Sequence, residues 1–150
     1  MSRDGLLDFA DRMIEVMSVM MKEFTRRQAH ELFELKITIP QILILNFLNL
    51  QGESKMTDIA KFMRVSTAAM TGIVDRLVRD QYVARVFDPR DRRIIRVKLT
   101  DKGTELLKKI NQHRRKTVIK IFGKISQKER EEYLKVLLRI RDTLLQEKEV

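Results

Sequence analysis

Apolar residues change their spacing several times along this chain, and each change marks an element. Over residues 5–34, Leu6, Phe9, Ala10, Met13, Met17, Met20 and Phe24 recur at steps of three and four, the period of an amphipathic helix. Ile14, Val16 and Met21 widen the apolar face beyond what one small domain needs to cover. Thr38-Ile39-Pro40-Gln41 has capping-box spacing with proline in the first turn, so a second helix opens there. Its run from Ile42 to Leu50 is apolar almost all round, which predicts deep burial, and Gly52 ends it. Thr57 is placed to cap a short third helix, Asp58 to Met63, and Ser66 a fourth, running to about Asp80 with Met70, Ile73, Val74 and Leu77 inward. The period then falls to two. Tyr82 to Phe87 and Ile94 to Leu99 read as strands, with Ile95, Val97 and Leu99 on one face and Arg96 and Lys98 on the other. Between them Asp88-Pro89-Arg90-Asp91-Arg92-Arg93 is too charged to be core, so the pair forms a two-stranded hairpin with a long arginine-bearing tip.

Thr100 caps a fifth helix, with Asp101 in its first turn, and Ser126-Gln127-Lys128-Glu129 is a second capping box opening the last. The stripe of Leu134, Leu137, Leu138, Ile140, Leu144 and Leu145 is again wide. Two terminal helices with surplus apolar surface predict a helical dimer interface built from both ends of the chain. The expected fold class is mainly α with a small β-hairpin wing, in one domain of 150 residues. Residues 37–100 form its winged helix-turn-helix core, and 1–36 and 101–150 its helical dimerisation region.

Charge sharpens this picture. The net charge is +10, and residues 52–120 hold 18 basic and 8 acidic side chains, so the whole excess lies in the middle. A localised positive field favours a polyanion, nucleic acid before an anionic membrane. Hydrophobic residues make up 43% of the chain, as in a globular protein, but no run approaches the ~18 apolar residues of a membrane span. The start carries no secretory pattern, so a cytoplasmic protein without membrane association is expected. The absence of cysteine excludes disulfides, zinc-thiolate sites and direct thiol sensing, and His30 and His113 lie too far apart in sequence to suggest a metal site. No Gly-rich phosphate loop, triad or metal cluster recommends an enzyme, and no cofactor is implied.

The segment from Thr57 to Leu77 carries the packing pattern of a helix-turn-helix: Ile59, Ala60, Met63, Val65, Met70 and Ile73, with Ala60 small where two helices cross. Arg64 stands where many such motifs place glycine, so either the turn is built differently or Arg64 takes a positive φ. Ser66, Thr67, Ala68 and Thr71 present short polar and methyl-bearing groups suited to base edges and phosphates in a major groove. No Arg, Asn or Gln stands near the start of this helix to read a base bidentately, so specificity leans on groove shape and on the hairpin. A basic hairpin directly after such a unit makes a winged helix, whose Arg90 tip can reach the adjacent minor groove.

Asp88-Pro89-Arg90-Asp91-Arg92-Arg93, followed by Val97-Lys98-Leu99-Thr100-Asp101-Lys102-Gly103, resembles the wing signature of the MarR family of transcriptional regulators, and Thr57 to Leu77 resembles that family's helix-turn-helix. The resemblance implies a homodimer on a pseudo-palindromic double-stranded operator, often a repressor of nearby genes released by a small phenolic or lipophilic ligand. It implies Arg90 in the minor groove, Arg93 near the backbone, and Asp91 with Arg92 as a pair bracing the wing. The ligand would wedge between dimer helices and winged units, against Met13, Met17, Met20, Phe24, Ile42 and Leu45. The competing expectation is a winged-helix module that docks proteins or binds DNA or chromatin non-specifically, without a ligand switch.

Overall fold

The computed structural model describes residues 3–146. The chain runs α1 (Arg3–Glu34), α2 (Ile39–Gln51), β1 (Ser54–Lys55), α3 (Met56–Met63), α4 (Thr67–Arg79), β2 (Val83–Phe87), β3 (Ile95–Leu99), α5 (Asp101–Phe122) and α6 (Gln127–Gln146). The backbone packs as two compact units, Met1–Thr104 and Glu105–Val150. The expected dimerisation segments 1–36 and 101–150 extend at both ends beyond the described residues.

In the first unit the helices start where their caps allow. Thr38 and Gln41 form the reciprocal capping box of α2, with the Thr38 N–H donating to Gln41 Oε1 at 2.9 Å. Gly52 closes α2 at φ 75°, a left-handed conformation that glycine adopts without a Cβ penalty. Ser66 accepts from the Ala69 N–H at 3.2 Å to begin α4, and Thr100 accepts from the Gly103 N–H at 3.1 Å to begin α5. The core beneath is formed by Ile44, Leu45, Ile59, Met70, Val74, Leu77 and Val97, all fully buried.

Four expectations need correction. The sheet has three strands, ordered β1-β3-β2, not two: Ser54 and Lys55 pair antiparallel with Val97 and Arg96. Two residues are too short to show a period, and Ser-Lys has little strand character. That strand also overturns the cap assigned to Thr57. The chain passes directly from β1 into α3, so Lys55 takes the N-cap position without a side-chain cap bond. Helix α2 is not buried all round, because Ile39, Leu43 and Leu50 lie on the face turned away from Ile44, Leu45 and Leu48 and are exposed. Finally, Val97 is buried but Ile95, at the wing-tip end of β3, is exposed, and Val65 in the helix-turn-helix is exposed as well.

In the second unit, the capping box at Ser126 is present: its N–H donates to Glu129 Oε2 at 2.7 Å, and its hydroxyl accepts from the Glu129 N–H at 3.3 Å. These bonds hold the Glu129 carboxyl below its ordinary range, the Ser126 hydroxyl contributing most. Arg130 donates to the carbonyls of Phe122 and Ile125, at 3.2 and 2.6 Å, tying the end of α5 to the first turn of α6. Phe122 and Tyr133 stack at 5.5 Å between ring centroids across that corner. Beyond it α6 buries none of its side chains. No described helix is long and apolar enough to cross a membrane.

Candidate nucleic-acid interface

The turn between α3 and α4 is built on Arg64 at φ 54°, ψ 42°. Of the two constructions open from the sequence, the chain uses the left-handed one. Val65 N–H donates to the Ala60 carbonyl at 3.1 Å and Arg64 N–H to the Lys61 carbonyl at 3.2 Å, capping α3 as a glycine turn would. The turn sets α4 with Met70, Val74 and Leu77 inward. The opposite face, by helical spacing, carries Ala68, Thr71, Gly72, Asp75 and Arg79. Thr67, Ala68 and Thr71 are exposed, as is the capping residue Ser66. The Thr71 hydroxyl donates to the Thr67 carbonyl at 2.9 Å, so it offers the outside an acceptor and its methyl group.

The wing is the β2–β3 hairpin, in register from Val83 opposite Leu99 to Phe87 opposite Ile95. Its tip is organised by Asp88. This buried carboxylate accepts from the Arg90 N–H at 2.9 Å and from Arg96 Nε at 2.6 Å, while the Asp88 N–H donates to the Ile94 carbonyl. The Arg90 N–H first, then the Arg96 guanidinium, hold the Asp88 carboxyl below its ordinary range. Asp91 accepts from the Arg93 N–H at 2.9 Å, so it shapes the tip through the backbone. Among the described residues no ion pair joins Asp91 to Arg92. The ionic brace is Asp88 with Arg96 instead, eight residues apart and brought together only by strand pairing. Arg90, Arg92 and Arg93 are exposed and carry no ion pair among the described residues.

A second tie links the two reading elements. Arg85 of β2 donates from Nη2 to Asp75 Oδ1 of α4 at 2.5 Å. Helical spacing alone puts Asp75 on the outer face of α4, but nothing local in the sequence couples positions ten apart across a turn. Arg76 and Arg79 also lie exposed on α4 and make its last turn basic.

The six residues expected around a ligand do not share one surface. Met13, Met17, Met20 and Phe24 are exposed on α1, whereas Ile42 and Leu45 are sealed in the core. Further along α1, an open surface depression is bordered by the exposed Arg26, Arg27 and His30. Among the described residues, no group of three or more His, Cys, Asp or Glu is placed to hold a metal.

The arrangement offers a small-residue helix face beside an arginine-tipped hairpin, two shapes sized for neighbouring grooves of a duplex. Residues 37–95 match the model of the MarR family. YpoP of Bacillus subtilis (strain 168), described as an uncharacterized HTH-type transcriptional regulator, is 30% identical over 97 residues, spanning 65% of this chain and 69% of YpoP. The chain belongs to the MarR family. It is accordingly a DNA-binding transcriptional regulator and not an enzyme. The MarR-type fold is matched by YusO of B. subtilis, with a TM-score of 0.82 at 22% identity over 95% of this chain and 99% of YusO. A variant of S. aureus MepR bound to an oligodeoxyribonucleotide superposes with a TM-score of 0.71 at 21% identity, covering 87% of this chain and 96% of MepR.

Proposed function

We propose that the protein is a homodimeric repressor that grips a pseudo-palindromic operator with two α4 helices and two wings, and that a small lipophilic or phenolic ligand releases it. The observation that carries this reading is the run of unpaired, exposed arginines at the wing tip, beside the polar outer face of α4. Arg90 enters the minor groove, where a narrow AT-rich tract concentrates negative potential. Ser66, Thr67, Ala68 and Thr71 lie along the major groove, Arg93 meets the backbone, and Asp91, through the Arg93 N–H, shapes the loop that carries Arg90. That a MepR variant of like fold has been captured on an oligodeoxyribonucleotide supports DNA as the partner.

The dimer is supported by what one chain leaves bare. Leu6, Leu7, Phe9, Ile14 and Met21 on α1 and Leu134, Leu138, Ile140, Leu144 and Leu145 on α6 are all exposed, an apolar area that water disfavours unless a second copy covers it. In this division of labour residues 37–100 read DNA, while 1–36 and 101–150 join the two chains. A cytoplasmic location goes with that role. The ligand would act from the exposed methionines and Phe24 of α1, using the adaptability of thioether side chains. It need only favour a wrong spacing of the two reading helices by a few kcal/mol to empty the operator.

Selection from random-sequence duplexes with the purified protein tests this. Recovery of an inverted repeat with half-sites one helical turn apart is the expected result. Recovery of no common sequence would favour a module that binds DNA non-specifically, and no retention of any duplex would favour protein docking.

A further inference from the structure

A winged helix works only if its two reading parts are held at a fixed angle, because they must enter adjacent grooves together. Two connections in this chain could set that angle. One is the turn after α4. There the Thr100 hydroxyl donates to the Gln81 carbonyl at 2.6 Å, Lys102 Nζ donates to the Asp80 carbonyl at 2.9 Å, and a Cβ on Gly103 would lie 2.1 Å from the Tyr82 carbonyl oxygen. This knot fixes where the wing begins. It acts at the root of β2 and does not reach the middle of the strand. The other connection is Asp75–Arg85, which reaches from two turns inside α4 to the middle of β2.

The placement of Asp75 is costly for a DNA reader. It lies on the outward stripe of α4 in line with Ala68 and Thr71, where its charge would repel phosphates. Arg85 lies directly against it and cancels that charge. The two side chains are 55% and 32% exposed, so the pair contributes little to fold stability. Its value lies in geometry. Arg85 stands opposite Val97 in the strand pair, and Val97 is locked in the core. Three residues after Arg85, at Asp88, begins the loop that presents Arg90. A continuous path therefore runs from α4 through Asp75, Arg85 and the β2–β3 ladder to the wing tip.

We propose that Asp75 and Arg85 are positioning residues that set the wing's angle to the reading helix, so that the affinity supplied by Arg90 depends on this pair. The inference rests on the proposed operator-binding function.

A double-mutant cycle tests it, measured by fluorescence anisotropy on the duplex recovered by selection. In the native background, Arg90→Ala should weaken binding roughly tenfold, and in the Asp75→Ala and Arg85→Ala backgrounds by less than about threefold. A change that merely lowered stability would leave the Arg90→Ala effect unaltered. Arg85→Lys, which keeps the cation but not the fork, should restore part of the dependence. Circular dichroism and melting verify that each variant is folded. If Asp75→Ala is not, Asp75→Asn carries the same cycle with a smaller expected effect. An equal fold-loss for Arg90→Ala in every background would overturn the proposal. No effect of Arg90→Ala in the native background would instead remove the wing from the proposed function, and this inference with it.

Discussion

The winged core and the terminal helices solve the problem of apolar surface in opposite ways. From α2 to β3, apolar residues converge on one interior, and Ile44, Leu45, Ile59, Met70, Val74, Leu77 and Val97 lose all contact with water. Helix α6 buries none of its residues, and α1 leaves Leu6, Leu7, Phe9, Ile14 and Met21 in solvent. Both regions contain side-chain-capped helices, α2 and α4 in one and α6 in the other, so local propensity does not separate them. The difference is where the buried surface comes from. The core supplies its own, whereas the terminal helices leave theirs exposed. In the proposed dimer, this division would let the spacing of the two DNA readers change without disturbing the internal geometry of either.

The sharpest way to break the comparison is to attack the core. Leu45→Ala deletes a fully buried side chain and should cost about 2–5 kcal/mol of unfolding free energy, read from the urea midpoint with an unchanged slope. A cost as small as that of a surface change would mean that the winged unit is not self-sufficient. The complementary change is Leu138→Glu on the exposed face of α6. It should weaken dimerisation at least 100-fold, about 2.7 kcal/mol, in sedimentation equilibrium, with operator binding lost in step. An unchanged dimer would place the interface elsewhere.

Smaller changes probe how the core is shaped. Arg64→Gly relieves a left-handed residue and should stabilise the fold by about 1 kcal/mol. It also removes a cation beside Ser66, so anisotropy should show weaker operator binding by a more stable protein. The smallest effect concerns pH. Asp88 has a lower pKa folded than unfolded, so its contribution to stability is full above the ordinary carboxylate range and fades as pH falls through the folded value. The gap in urea midpoint between the native protein and Asp88→Asn should stay constant from neutral pH to about pH 5 and close below about pH 4. A gap independent of pH would mean that the Asp88 charge does not hold the wing.

These residues also show how far the chain could be read from its sequence. Caps and periods are local, and Thr38 with Gln41, Ser66, Thr100 and Ser126 with Glu129 stand where their spacing put them. The inner face of α4 was legible for the same reason, with Met70, Val74 and Leu77 buried. What escaped depends on contacts between distant parts of the chain. Strand β1 exists because β3 lies beside it, and it took the cap position from Thr57. The Asp88–Arg96 brace and the Asp75–Arg85 tie depend on strand register and on a helix crossing, which no spacing rule encodes. The exposed side of α2 was hard to see because only Asn46 and Asn49 interrupt its apolar run, a weak mark of which side faces away from the core.

The central claim is that two chains hold one duplex, each with α4 in a major groove and Arg90 in the adjoining minor groove. Dimethyl sulfate footprinting of the selected duplex reads both at once, since the reagent reports guanine N7 in the major groove and adenine N3 in the minor groove. The account predicts two symmetric patches of guanine protection about one helical turn apart, each accompanied by adenine protection that disappears in Arg90→Ala. A single unsymmetric patch, or adenine protection that survives loss of the arginine, would contradict it.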